Sequence, residues 1–198
     1  MISIYTIKPK FQQLLKPILT RLNKYGVTAN QITISSIVLS LFIGIAFWYA
    51  DVYNILFLSL PVGLLIRMAL NALDGMMART YNQQSKKGEA LNEVGDIISD
   101  LFIYFPLLKF EQANIYLIVI FLCLGILNEF SGLLAKAISG QRRYDGPMGK
   151  SDRAFVISIY GLLSFFRIQF SVYSGWIFGV INLLLIISTY TRIKKSLH

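Results

Sequence analysis

Long apolar stretches separated by short polar connections dominate the chain, and their lengths predict membrane-spanning helices. Six of them approach the roughly 20 residues that an α-helix needs to cross a bilayer. They are residues 32–50, 55–79, 90–110, 115–138, 153–167 and 172–190, of which the fifth is the shortest. We therefore expect an all-α integral membrane protein, with a single domain over residues 1–198 and a six-helix bundle over residues 32–190.

The segment before these stretches, residues 8–24, has a different pattern. Apolar side chains recur at helical intervals and the basic side chains fall mostly elsewhere on the helix. The apolar positions are Phe11, Leu14, Leu15, Ile18 and Leu22. This pattern predicts an interfacial amphipathic helix next to the membrane, whereas a merely solvated basic arm would not need it. Thr28 or Asn30 is expected to cap the helix that follows.

The chain has a net charge of +9, from 19 Lys and Arg against 10 Asp and Glu. The positions of the basic residues along the chain indicate its orientation in the membrane. All of the lysines and arginines except Arg67, Lys109 and Arg167 fall on one side of the predicted bundle. By the positive-inside rule, both termini then face the cytoplasm. The excess charge indicates attraction to anionic lipid and gives no reason to expect nucleic acid.

Few residue types remain for covalent or histidine-based chemistry. Cys123 is the only cysteine and lies in an apolar run, so a disulfide framework is excluded. His198 is the only histidine and the last residue, which sets aside a histidine base and a histidine-rich metal site.

Polar residues gather instead on two predicted helices between residues 71 and 100. Helical spacing places Asn71, Asp74 and Ala78 on one side of the first helix, with Gly75 and Arg79 beside them. On the second helix, the same spacing aligns Asn92, Asp96 and Asp100. Ionisable groups inside a membrane cost several kcal/mol unless they face a cavity, a partner or an ion, so this set predicts a functional site. Alternatively, the small residues serve only to pack helices together, or the acidic residues line an ion path.

The order and spacing of these residues resemble the signature of the CDP-alcohol phosphatidyltransferase family. That signature has Asp, two residues, Asp-Gly, two residues, Ala-Arg, about eight residues, Gly, three residues, Asp, three residues and Asp. The matching residues are Asp74, Gly75, Ala78, Arg79, Gly88 and Asp96, while Asn71 and Asn92 stand at two of the four aspartate positions. The resemblance implies transfer of a phosphatidyl group from CDP-diacylglycerol to a polyol or polyol phosphate, with glycerol 3-phosphate preferred, and release of CMP.

The resemblance also implies roles for individual residues. Asn71, Asp74, Asn92 and Asp96 would hold one or two Mg²⁺ or Mn²⁺ ions, which prefer oxygen ligands. Asp96 would also act as the base that takes the proton of the acceptor hydroxyl. The CDP-lipid would lie against Asn30, Thr33, Gly75, Ala78, Arg79 and Ser85.

The two asparagines halve the number of carboxylates, from four to two, so a second divalent ion should bind weakly. We expect one ion, or two only when substrate is present. Glu89, Glu93 or Asp100 could supply the missing charge, or Asp100 could pair with Arg67.

A basic cluster follows between residues 136 and 153, on the same side as the motif. Gly149 and Lys150 resemble the Gly-Lys pair of glycerophosphate-using relatives, and Asn128 and Glu129 resemble their Arg-Glu pair. We expect Lys150, Arg153 and Arg143 to bind the phosphate of the acceptor. Alternatively, these basic residues bind no acceptor and only anchor the cytoplasmic face of the protein at the membrane.

Relatives are commonly homodimers, so we expect a homodimer in the inner membrane, in contact with membrane lipids. Two other classes remain open. One is a family descendant without turnover that serves as a CDP-lipid-binding or partner-binding scaffold, which the loss of two carboxylates favours. The other is a small transporter, although no polar path continues to the outer side.

Overall fold

The computed structural model describes residues 8–197, without the side chains of Lys8, Pro9 and Ser171, and His198 lies outside this range. The helices are α1 (Lys8–Lys24), α2 (Ala29–Trp48), α3 (Ser59–Thr80), α4 (Lys86–Tyr104), α5 (Leu107–Phe110), α6 (Ile115–Ser139), α7 (Lys150–Phe165) and α8 (Ser171–Ser196). Two 3₁₀ turns, Asn54–Leu58 and Gln112–Asn114, lead into α3 and α6. Residues 8–197 contain no strand, which confirms the all-α class.

Four helical stretches are long and apolar enough to cross a membrane. They are Ala29–Trp48, Asn54–Thr80, Gln112–Ser139 and Val172–Ser196. The other two predicted spans, α4 and α7, do not reach this standard of length and composition. α4 carries polar and charged side chains along its first half, and α7 has only 16 residues. The structure therefore supports a membrane protein with four apolar spans, where the sequence predicted six.

Both α4 and α7 nevertheless run between the same two ends of the bundle as the longer helices. After α4, Lys109 donates hydrogen bonds to the carbonyl of Trp48, 2.8 Å away, and to Asp51, 2.7 Å away, at the end of α2. Before α3, the amide of Asn54 donates to the carbonyl of Phe165 at the end of α7 (2.9 Å). The last turns of α2, α4 and α7 therefore meet at one end of the molecule.

Helix α1 forms over the residues that the amphipathic pattern predicted. Leu15 and Leu19 are buried against α3, where they join a cluster with Leu73 and Met77. Leu14, on the other face, is 75% exposed. Part of the apolar surface of α1 thus packs against α3, and the part around Leu14 remains exposed.

Local signals explain where the helices start and how closely they pack. Thr28 caps α2: its hydroxyl accepts a hydrogen bond from the backbone of Gln31 (3.3 Å), and its own N–H donates to the Gln31 side chain (2.9 Å). Gly44 lies where α2 approaches α4, and a Cβ there would overlap the carbonyl of Phe102. Helix α2 packs against both α3 and α4, and the first halves of α2 and α4 and the second half of α3 lie around one space.

Candidate active site

The first halves of α2 and α4 and the second half of α3 surround a cavity of about 860 Å³. The beginnings of α1 and α7, the loops at residues 81–85 and 140–149, and the last turns of α8 complete its wall. All four predicted metal ligands and all six predicted CDP-lipid residues line this cavity. They are Asn71, Asp74, Asn92, Asp96, Asn30, Thr33, Gly75, Ala78, Arg79 and Ser85. The two sequence segments that the motif joins therefore face one space.

Asp74 projects from α3 into the base of the cavity and is only 3% exposed. Its Oδ2 atom accepts a hydrogen bond from the Thr33 hydroxyl at 2.9 Å and from the Asn92 amide at 3.2 Å. The Thr33 hydroxyl also lies 3.1 Å from the carbonyl of Ala29 in the preceding turn of α2, which fixes its position. Helices α2 and α4 thus both hold the carboxylate that α3 supplies.

Asp96 supplies the second carboxylate, from α4. The Lys150 ammonium, at the start of α7, pairs with its Oδ1 atom. The Asn71 amide nitrogen of α3 lies 3.5 Å from the same atom. Through these contacts Asp96 links α3, α4 and α7, and its exposure to the cavity leaves it open to a ligand.

The first turn of α4 forms the side of the cavity next to Asn30. Ser85 caps this helix, since its hydroxyl accepts a hydrogen bond from the N–H of Gly88 at 3.0 Å. A Cβ at Gly88 would lie 2.7 Å from the Asn30 side-chain oxygen, so a larger residue would displace the Asn30 side chain. Ser85 therefore has a structural role at the helix start, and the nucleotide contact that its place in the sequence suggested stays a prediction.

Buried charges form a network at the side of the cavity. Asp100 lies 2.7 Å from Arg67 and 2.8 Å from Arg153, which confirms the Arg67 pairing that the sequence left open. Arg153 also lies 2.9 Å from Glu129, and Arg142 bonds to Glu129 at 3.0 Å. Each charge in the network therefore has a partner of opposite sign, which offsets the cost of its burial.

Two of the three residues expected to bind the acceptor phosphate do not line the cavity. The Arg153 side chain is fully buried and is held by Asp100 and Glu129, so its guanidinium is not available to a ligand in this structure. Arg143 donates to the carbonyl of Lys195 at 3.2 Å, on the outside of the bundle. Only Lys150 of the three reaches the cavity, where its partner is Asp96.

Sequence reasoning missed several cavity residues from distant parts of the chain. Arg142 pairs with Glu93 and lies 5.1 Å over the Tyr144 ring, and Arg192 donates to the backbone carbonyl of Asn128. Their basic character was visible, but their inward direction depends on the fold of the 140–149 loop and on the packing of α8 against α6. Near Asn128, where the resemblance predicted an arginine, guanidinium groups of Arg153 and Arg192 are present instead.

The donors at this cavity are oxygen and amide groups, which is the chemistry that suits Mg²⁺ or Mn²⁺. Within residues 8–197 no cluster of three or more His, Cys, Asp or Glu side chains could hold a metal by itself. Asp74 and Asp96 therefore fit an ion whose remaining ligands come from water or from substrate phosphates.

Comparison with known proteins agrees with this geometry. The sequence profile of the CDP-alcohol phosphatidyltransferases matches residues 26–188. The chain is 45% identical over 195 residues to inner membrane protein YnbA of Escherichia coli K12, covering 98% of this chain and 96% of that protein. It is 32% identical over 101 residues to archaetidylinositol phosphate synthase of Pyrococcus horikoshii, over half of each chain.

Solved structures share the fold. Phosphatidylinositol phosphate synthase of Mycobacterium tuberculosis with bound CDP-DAG superposes with a TM-score of 0.76, at 19% identity, over 93% of this chain and 94% of that one. The same enzyme in complex with manganese and citrate gives a TM-score of 0.74 over 91% and 87%. At 19% identity, these structures show a shared all-helical fold. The chain belongs to the CDP-alcohol phosphatidyltransferase family.

Proposed function

We propose that this protein transfers a phosphatidyl group from CDP-diacylglycerol to the hydroxyl group of a polyol or polyol phosphate and releases CMP. The observation that carries the proposal is the convergence of Asp74 and Asp96 in one cavity together with the matched CDP-lipid residues. Glycerol 3-phosphate is our preferred acceptor, because the Gly149-Lys150 pair, which resembles that of glycerophosphate-using relatives, lines the cavity.

Different residues of the cavity would bind different parts of the substrate and the metal ion. Asn30 and Arg79 lie in the wall where the nucleotide and its diphosphate would bind, and the planar guanidinium of Arg79 suits phosphate oxygens. Asp74 and Asp96 would hold a Mg²⁺ or Mn²⁺ ion, which supplies charge stabilisation to the diphosphate when bound. Gly75 also lines the cavity, and a Cβ there would lie 3.2 Å from the Arg79 guanidinium, so the glycine leaves room for Arg79 beside the diphosphate.

Asp96 is positioned to act as the general base. It takes the proton of the acceptor hydroxyl, whose oxygen forms a bond to the phosphorus that carries diacylglycerol. The bond between that phosphorus and the bridging oxygen of the diphosphate breaks, and CMP leaves with the electron pair. The products are the phosphatidyl-linked alcohol and CMP, so atoms and charges balance without a further reactant.

The test incubates purified protein with CDP-diacylglycerol, Mn²⁺ or Mg²⁺ and a panel of polyols and polyol phosphates, and measures CMP release. We expect release that depends on the acceptor and falls by at least about a hundredfold in Asp96→Asn, because the base is lost. Asp51→Asn, at the other end of the bundle, is the matched control and should keep activity. Absence of release with every acceptor would refute the proposal.

A second candidate is a protein that binds CDP-lipid without turnover. The observation that favours it is that the amides of Asn71 and Asn92 approach Asp96 and Asp74 with their nitrogen atoms, where carboxylates would be stronger metal ligands. Binding of CDP-diacylglycerol without CMP release, abolished by Arg79→Ala, would support this function in place of catalysis.

We also propose that the cavity and both termini face the cytoplasm, in an inner membrane. The loops at the cavity end hold most of the basic residues, as the positive-inside rule requires of a cytoplasmic face. In a Cys123→Ser background, Lys87→Cys should react with a membrane-impermeant maleimide only in inside-out vesicles, and Val52→Cys only in right-side-out vesicles. The reverse pattern would contradict the orientation.

A homodimer is the assembly that the family resemblance suggests for this chain. Light scattering on the protein in detergent, with the detergent mass subtracted, should give the mass of two chains. The mass of one chain would refute the dimer.

A further inference from the structure

The two asparagines of the motif act as hydrogen-bond donors in this cavity. The Asn92 amide nitrogen lies 3.2 Å from Asp74, and that of Asn71 lies 3.5 Å from Asp96. The Asn71 oxygen is already used, since it accepts a hydrogen bond from the Ser36 hydroxyl at 2.8 Å. A neutral amide has only one oxygen to offer a metal. Asn71 therefore supports the position of Asp96 and leaves little ligand capacity for a bridging ion.

Lys150 brings a fixed positive charge to the same carboxylate. It is the first residue of α7, and its ammonium pairs with Asp96 Oδ1. The backbone before it is held in place because the N–H of Gly149 donates to Asp152 at 3.0 Å. The Lys150 side chain is 23% exposed and lines the cavity, so it can contact a bound anion without leaving Asp96.

Other acids near the cavity are already neutralised within the described residues. Glu89 pairs with Lys136, Glu93 pairs with Arg142, and Asp100 is held between two arginines. These contacts decide between the alternatives that the sequence left open, because none of the three acids is free to replace a missing carboxylate. Besides the paired Glu129, the remaining carboxylates in the cavity wall are those of Asp74, Asp96 and Asp152. Lys150 pairs with Asp96, and Asp152 accepts a hydrogen bond from the N–H of Gly149.

We propose that Lys150 takes the place of a second metal ion: the cavity binds one divalent ion, at Asp74 and Asp96, and the Lys150 ammonium supplies the other positive charge to the diphosphate. In the cavity without substrate, one divalent ion and one ammonium exceed the charge of Asp74 and Asp96, so a second divalent ion beside these two carboxylates would enter against repulsion. Substrate phosphates then complete the charge balance. This inference rests on the proposed function for the identity of the diphosphate, but not for the count of ions.

Mn²⁺ titration of the purified protein, followed by the electron paramagnetic resonance signal of free Mn²⁺, tests the proposal without using activity. We expect one Mn²⁺ per chain and no spin-coupled Mn²⁺ pair, with or without CDP-diacylglycerol. Lys150→Met should bind its Mn²⁺ at least about tenfold more tightly, because a like charge a few ångströms from the ion is removed. Lys87→Met, an exposed lysine on the same side of the bundle, is the matched control and should change affinity much less.

The asparagines provide a second variant. The double variant Asn71→Asp, Asn92→Asp should bind two Mn²⁺ ions per chain and show a spin-coupled pair. Two Mn²⁺ ions in the unmodified protein, or equal affinity in Lys150→Met and the control, would overturn the proposal. The outcome is separable from that of the proposed function: a chain that binds one Mn²⁺ but releases no CMP refutes only the proposed reaction, and one that releases CMP with two bound ions refutes only the role of Lys150.

Discussion

Replacement of Arg153 by methionine tests whether the buried charge network holds the fold together. The Arg153 guanidinium is fully buried and lies 2.8 Å from Asp100 and 2.9 Å from Glu129. Methionine keeps much of the side-chain volume but leaves two carboxylates without this partner. The variant therefore separates a structural arginine from one that binds the phosphate of an acceptor.

The magnitude follows from the contacts that remain. Removal of one partner from a buried ion pair costs about 3–5 kcal/mol, because the other charge stays buried without compensation. Here Asp100 keeps Arg67 at 2.7 Å and Glu129 keeps Arg142 at 3.0 Å, so we expect the lower end, about 3 kcal/mol. The neighbouring Arg143 is 34% exposed and lies 4.0 Å from Asp145, so Arg143→Met should cost less than about 1 kcal/mol.

The assay is equilibrium unfolding in mixed detergent micelles, with tryptophan fluorescence as the signal. Glu129→Gln, added to Arg153→Met, removes one of the two carboxylates that lost Arg153 as a partner. The free energy of unfolding of the double variant should therefore fall by at least about 1 kcal/mol less than the sum of the losses in the single variants. Equal stability losses for Arg153→Met and Arg143→Met would refute the reasoning. An unchanged stability with a raised KM for a phosphorylated acceptor would restore the phosphate-binding role that the sequence suggested.

Three further predictions concern the frame of the cavity. Gly44→Ala should destabilise the protein by about 1–3 kcal/mol, because its Cβ would overlap a backbone carbonyl of α4, whereas Gly179→Ala, with open space around its Cβ, should be neutral or stabilising. Thr28→Ala should lower the free energy of unfolding by about 1 kcal/mol through loss of the cap on α2. The hydrogen bond from Lys195 lowers the pKa of Asp145 below its ordinary 3.8; the stabilisation is present above that pH and is lost as the pH falls through the lowered pKa. The difference in melting temperature between the unmodified protein and Asp145→Asn should therefore disappear as the pH falls below the lowered pKa, and a difference independent of pH would contradict the charge-based explanation.

The sequence predicted the parts of this structure that depend on local pattern. The amphipathic helix at residues 8–24 and the Thr28 cap follow from spacing and local hydrogen bonding, and both are present. The facing positions of Asp74 and Asp96 follow from helical periodicity in two segments that a short loop joins. These predictions held because each needs only nearby residues.

The points at which the structure differs from the predicted arrangement have a different physical origin. Arg153, which the sequence predicted to bind phosphate, is held in the interior by Asp100 and Glu129, which lie on other helices. The six predicted spans counted α4 and α7 by position in the chain, although the polar half of α4 and the shortness of α7 do not meet the usual requirements of a span. Contacts between distant segments decide the burial of Arg153, and periodicity carries no information about them. The number of apolar spans depends instead on the length and polarity of each helix.

Direct location of the ion tests the central claim, that Asp74 and Asp96 hold a cation against the diphosphate of a CDP-lipid. A crystal structure of the protein with Mn²⁺ and CDP-diacylglycerol, with data collected at the manganese absorption edge, would show each ion as an anomalous peak. We predict a single peak between the two carboxylates and the diphosphate, with the Lys150 ammonium beside Asp96. A peak elsewhere, or a nucleotide bound away from Asp74, would contradict the account.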